Sequence, residues 1–282
     1  MPVFLPRNCL AFLAVMMLLA APLRPAQAEA LSRAFLLPEL FEIMAEEGRR
    51  SAVADGVIPF QGRALAEFER KVAAIYDPDA MRMAFEDRLN AELASQPDVR
   101  EDALEFAGTD LGARVLRLEI SARAALLDDE IDQISRITLE EARDADAGTP
   151  RAARLKMVRA RIDANDLVDL NVSLGLNTSL AYYRGLLAEQ AAQTLGADEL
   201  LSLVWSQEDI LRADVEDWIE AYFLLAYQPL TDADLQAYID YLSTPPALSF
   251  NLVMFTAFDQ VFSDLSVALG RVMGRGMLAE EL

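Results

Sequence analysis

Apolar residues recur along this chain three and four positions apart, and the runs are cut by proline, glycine and short polar side chains. That spacing puts them on one face of an α-helix. "PELFEIMAEEGRRSA" reads as a helix with Pro38 at its first position and Leu40, Phe41 and Met44 on one face. "QGRALAEFERKVAAIYD" and "PDAMRMAFEDRLNAELAS" follow as two helices broken at Asp77-Pro78, because a residue before proline avoids the helical region. Alternating runs between hairpin turns, the mark of strands, do not occur.

One corner is written twice. "FAGTDLGARVLRLE" (106–119) is echoed by "YLSTPPALSFNLVM" (241–254): an aromatic, a threonine three places on, a turn-like pair, then a small residue opening an apolar run. In the first copy a helix should end near Ala107 and Gly108, with Gly108 supplying the left-handed turn. Thr109 should cap the next helix and Gly112 leave room for a close crossing. The stripe Val115, Leu118, Ala122 and Ala125 follows. In the second copy Thr231 and Thr244 are the expected caps, and Pro245 fits a first turn because it has no N–H to satisfy. Beyond it Phe250, Val253, Ala257, Val261 and Leu265 form a stripe, widened by Met254, Phe255, Phe258, Phe262 and Leu269. Asn251, Asp259 and Asp264 interrupt the run, so a core helix is expected there rather than a membrane span.

Between the copies "RDADAGTPRAAR" (143–154) is the expected linker. The chain thus reads as all-α: a leader over 1–28, a first helical half over 29–147 and a second, related half over 148–282, arranged as a helical repeat or bundle. The leader carries Arg7, an apolar stretch from Cys9 to Leu23, and Ala26 and Ala28 flanking Gln27. That is the pattern of a signal peptide cleaved after Ala28, which predicts a soluble periplasmic or secreted product with no transmembrane helix after cleavage.

The corner resembles a bacterial family of exported proteins, domain of unknown function 2059. Its signature is Phe-Tyr-x-Ser/Thr-Pro-x-Gly after an acidic helix that starts with threonine. Phe106 and Tyr241 match the first aromatic, Thr109 and Thr244 the capping residue, Pro245 the proline, Gly112 the glycine, and Thr231 the start of the preceding helix. Ala107 and Leu242 replace the tyrosine, Asp110 the first copy's proline, and Ala247 the second copy's glycine. The resemblance implies an all-helical exported protein and implies no activity.

Composition narrows function by exclusion. The chain has 282 residues, a formal net charge of −21, no histidine and one cysteine, Cys9, inside the predicted leader. Histidine- or cysteine-based nucleophilic sites, zinc sites and haem ligation are therefore excluded from the mature chain, and no glycine-rich phosphate loop appears. No cofactor is expected. Such a charge repels nucleic acid. Only Lys71 and Lys156 accompany the arginines, whose planar charge suits ion pairs with the many carboxylates.

What remains is carboxylate chemistry and packing. Glu119, between Leu118 and Ile120, is placed to pair with Arg123 four residues on. The acidic runs "DDEID", "DADAG" and "DANDLVD" lack the calcium-loop pattern and read as caps and solvated faces, so no metal site is expected. The cluster Arg151, Arg154, Lys156, Arg159 and Arg161 reads as an offset to the acidic segment before it. Asn171, Asn177 and Asn251, in apolar helical stretches, and the pair Trp218 and Tyr222, one turn apart, are the candidate ligand or partner residues. For each the competing reading is ordinary packing with a backbone-satisfied amide. The expectation is a non-catalytic protein binding an apolar ligand or an envelope protein. The alternatives are a hydrolase or lyase using carboxylates, distinguished by two acids converging without arginine partners, and a structural envelope component.

Overall fold

The computed structural model describes residues 23–57, 59–189 and 196–280. Among the described residues every regular element is a helix. The order is α1 (Leu23–Ala34), α2 (Leu37–Gly56), α3 (Gly62–Ile75), α4 (Pro78–Glu92) with a short 3-10 turn (Leu93–Ser95), α5 (Pro97–Ala107), α6 (Asp110–Ala125) and α7 (Asp129–Arg143). Then come α8 (Pro150–Asp163), α9 (Leu167–Glu189), α10 (Ala197–Trp205), α11 (Glu208–Ala226), α12 (Asp232–Leu242) and α13 (Pro245–Glu280). Residues 1–22 of the expected leader lie outside the described residues, and 23–28 belong to α1, so that helix runs through the expected cleavage position.

The polar punctuation fixes the helix starts. The Asp77 carboxylate accepts from Ala80 N at 2.8 Å, Thr149 Oγ1 from Ala152 N at 3.3 Å and Thr231 Oγ1 from Asp234 N at 3.1 Å, each satisfying one orphan donor of a first turn. Thr109 Oγ1 accepts from Gly112 N at 2.9 Å as expected. Gly112 has no room for a Cβ, which would meet the Phe106 carbonyl, so the glycine allows the α5–α6 corner to close. Gly108, however, is right-handed (φ −80°, ψ −10°), and Thr109 alone makes the turn. In the second copy the expected cap is not formed: Thr244 Oγ1 is buried without a partner among the described residues. Two prolines, Pro245 and Pro246, already remove two donors from the first turn of α13.

The two corners meet. The Phe106 and Tyr241 rings stack at 3.7 Å between centroids, and Tyr241 donates to Asp102 Oδ2 at 3.1 Å. Helix α5 packs on α13 while α12 packs on α6, so each corner's first helix leans on the other's second.

Burial does not follow the expected halves. One core runs from Leu31 to Ala103 and takes in Phe250, Val253, Ala257, Val261 and Met273 of α13. A second combines Val115 and Ala122 with residues from Val158 to Leu242. The segment read as a linker is a short turn across which α7 and α8 pack together, with Leu139, Ala142, Leu155 and Ala221 forming one small cluster. Apolar side chains supplied by sequence-distant helices set these cores, which a boundary drawn from turn residues does not register.

Helix α13 packs most extensively on α9. A Cβ on Gly185 or Gly270 would strike the backbone of Val267 or Tyr182 across that crossing, so the two glycines let the helices touch main chain to main chain. Residues Pro245–Leu278 are long and apolar enough to cross a membrane, with mean hydropathy 1.4 in the most apolar window. Here one apolar stripe of that helix is core, and the other faces a cavity.

Candidate functional site

That cavity, about 730 Å³ and partly open, lies among α2, α6, α9, α11 and α13. Its volume is within the ~300–1,000 Å³ usual for small-molecule sites. The residues that widened the α13 stripe in the sequence, Met254, Phe255, Phe258 and Phe262, form one wall, with Phe35, Leu40 and Met44 beside them. Phe258 is braced from behind by Phe41 and Phe85, at 6.1 and 4.4 Å between ring centroids. Such aromatic pairs add ~0.5–1.5 kcal/mol each beyond area burial, which holds the wall in place.

The other end is polar and built on Glu119. This residue follows Val115 by four positions, so the stripe that buries α6 turns its carboxylate inward. Glu119 Oε1 accepts from the Tyr227 hydroxyl at 2.6 Å and the Tyr238 hydroxyl at 3.1 Å, and Arg161 Nη2 lies 3.8 Å away. Tyr222 donates to the Glu119 main-chain carbonyl at 3.0 Å. The expected Glu119–Arg123 pair is not made: Arg123 reaches across to Glu47 on α2 with two bonds, of 3.0 and 2.7 Å. A bidentate bond between helices, partly shielded from water, outweighs a solvated pair within one helix, which contributes only ~0.3–0.5 kcal/mol.

Arg161 is buried. Its Nε donates to Tyr227 Oη at 3.0 Å, its Nη1 to Asn165 Oδ1 at 3.4 Å, and its guanidinium lies 4.4 Å from the Phe223 ring centroid. Burial by itself would lower its pKa, but Tyr227, Tyr238 and Glu119 more than offset that, so it stays charged. Burial first, and Glu119 next, push the Tyr222 and Tyr238 hydroxyls above their ordinary range, and burial does the same for Tyr227. The phenols remain neutral donors at any ordinary pH.

Of the expected ligand residues, Asn171, Trp218, Tyr222 and Asn251 line the cavity. Trp218 and Tyr222 stack at 5.2 Å, and Arg123 lies 5.6 Å from the Trp218 ring. Asn171 and Asn251 each give their amide N–H to a backbone carbonyl, of Leu167 at 2.7 Å and Asn165 at 3.2 Å. Asn177 stands apart, exposed and bonded to Asp259 at 2.8 Å.

The basic cluster does not act as one group. Arg151 pairs with Glu141 and Arg159 with Glu220, Arg154 reaches Asp232 and the Leu230 carbonyl, and Arg161 enters the cavity wall. The sequence reading missed Arg161, Tyr227 and Tyr238 as site residues. Arg161 had a signal: it falls on the same helix face as the buried Leu155, Val158 and Ile162, where a solvated arginine does not belong. No group of three or more potential metal-binding side chains occurs among the described residues.

These features describe an all-helical protein enclosing an amphipathic cavity. No family model, curated protein or solved structure matches the chain.

Proposed function

We propose that the chain is an exported, non-catalytic binding protein that takes an apolar small molecule into the cavity beside α13. The observation that carries this reading is the 730 Å³ space walled by phenylalanine and methionine side chains on a helix whose adjacent stripe is packed core. Apolar walls with a few convergent polar groups are the usual make-up of a ligand site. The leader-like segment supports export. Against the hydrolase or lyase alternative, the two acids on the cavity, Glu47 and Glu119, each have an arginine partner, at 2.7 and 3.8 Å.

Native mass spectrometry of the full chain purified from cells that express it tests the reading. The expected result is a defined co-purifying mass, released on denaturation and identified as an apolar or amphipathic molecule. A protein mass with nothing bound, from preparations that also fail to take up added amphiphile, overturns it.

A further inference from the structure

The hydrogen bonds around the cavity specify the kind of molecule it accepts. The guanidinium and phenol donors around Glu119 and Glu47 are already engaged, whereas the Ser51, Tyr76 and Ser266 hydroxyls and the Trp218 indole, which also line the cavity, are neutral groups that a ligand hydroxyl can meet as acceptor. Arg123 spends Nε and Nη2 on Glu47, and Arg161 gives Nε to Tyr227 and Nη1 to Asn165. Tyr222 and Tyr238 donate to Glu119, Tyr241 to Asp102 and Thr178 to the Gly175 carbonyl.

Acceptors are left over. A backbone carbonyl can only be met by an amide's nitrogen, so the bonds to Leu167 and Asn165 fix the orientation of Asn171 and Asn251 and leave each Oδ1 without a protein donor among the described residues. Glu119 uses Oε1 for Tyr227, Tyr238 and Arg161, leaving Oε2 free in the same sense. None of the three oxygens is sealed from solvent, since among the described residues the buried side-chain atoms lacking partners lie elsewhere, on Arg154 and Thr244. The site therefore offers an open carboxylate oxygen and two open amide oxygens, while both its guanidinium groups are neutralised by their own carboxylates.

Resting on the binding reading above, we infer that the ligand is an amphiphile with a neutral, hydroxyl-bearing head group, such as a monoacylglycerol, and that fatty carboxylates are rejected. The two hydroxyls of such a head group donate to two of the three open oxygens. An anionic head would face Glu119 and find Arg123 and Arg161 already committed.

Trp218 lines the cavity and Trp205 is exposed on α10, so the Trp205→Phe protein reports occupancy through Trp218 fluorescence alone. Titrations with monododecanoylglycerol, dodecanoate and dodecyltrimethylammonium near pH ~8, where free dodecanoate is ionised as carboxylic acids are, should give affinity at least about tenfold tighter for the glycerol ester than for either ion, a difference of ~1.4 kcal/mol. Glu119→Gln, which replaces an open acceptor by a donor, should narrow the gap between ester and dodecanoate. Asn171→Leu, whose bond is within its own helix, should weaken the ester and leave dodecanoate unchanged. Equal or tighter binding of dodecanoate, or of the ammonium ion that has no donor, overturns the head-group inference while leaving the binding reading intact. Failure of all three to perturb Trp218 overturns the binding reading itself.

Discussion

Glu119 and Glu220 are both glutamates drawn into the interior of helical packing, with side chains 17% and 11% exposed, yet their surroundings differ in kind. Glu220, on α11, is clamped by two guanidinium groups: Arg143 at 3.0 and 2.8 Å and Arg159 at 2.6 and 3.2 Å. Cations engage both of its oxygens, which ties α7 and α8 to α11. Glu119 is held mainly by neutral phenols on one oxygen and keeps the other open to a cavity. The contrast teaches that burial alone does not mark a site; a carboxylate with an unused oxygen beside empty space does.

The contrast is broken most severely at Arg161. Arg161→Ala removes a bond to Tyr227, the stacking on Phe223 and the one cation paired with Glu119 among the described residues. Leaving a buried carboxylate uncompensated costs ~3–5 kcal/mol, so denaturant unfolding should show the largest drop in midpoint of any single change here. A loss under about 1 kcal/mol would mean that the phenols suffice to hold Glu119.

Glu220→Gln should cost less, about 1–2 kcal/mol, because the freed Arg143 and Arg159 side chains are 34% and 50% exposed and regain water. Amphiphile titration of this variant should match the unmodified protein. A parallel loss of binding would erase the distinction between the two glutamates.

Tyr238→Phe sharpens the same contrast from the donor side. It deletes one hydroxyl bond to Glu119 and should cost about 1 kcal/mol. The pH dependence follows from burial, and then Glu119, raising the Tyr238 pKa above its ordinary value. The unfolded chain loses this proton near pH ~10 while the folded one keeps it, so the stability held below that pH is lost as pH rises toward the folded value. Absorbance of tyrosinate during alkaline titration should show the buried tyrosines ionising together with unfolding. Tyr238→Phe should remove one phenol from that cooperative step.

Much of the fold is legible in the chain because helix starts and stripes are local. Thr109 and Thr231 cap as their neighbours predict, the expected break at Asp77-Pro78 falls between α3 and α4, and the apolar stripe of α13 separates into a buried set and a cavity-lining set at helical spacing. The cavity was only partly legible. Trp218, Tyr222, Asn171 and Asn251 were visible as polar or aromatic residues in apolar surroundings. The partners of Glu119 were not, since Arg161 comes from α8, Tyr227 from the residue that follows α11 and Tyr238 from α12, and spacing within one helix carries no information about them. The assignment of Arg123 to Glu119 failed for that reason.

The smallest effects test whether the lesson of the two glutamates holds for neutral groups. Thr109 and Thr244 occupy matching places in the repeated corner, but Thr109 accepts from Gly112 N at 2.9 Å and donates to the Phe106 carbonyl at 2.7 Å, whereas Thr244 Oγ1 is buried with no partner among the described residues. Losing a used cap costs about 1 kcal/mol, so Thr109→Ala should lower stability by that amount. Thr244→Val keeps the branched shape and removes a hydroxyl that was desolvated without return, so its expected effect is near zero or slightly stabilising. Thermal unfolding of the two variants side by side decides the matter. If Thr244→Val falls as far as Thr109→Ala, the second corner uses its threonine after all, and the sequence repeat is a repeat of bonding as well as of shape.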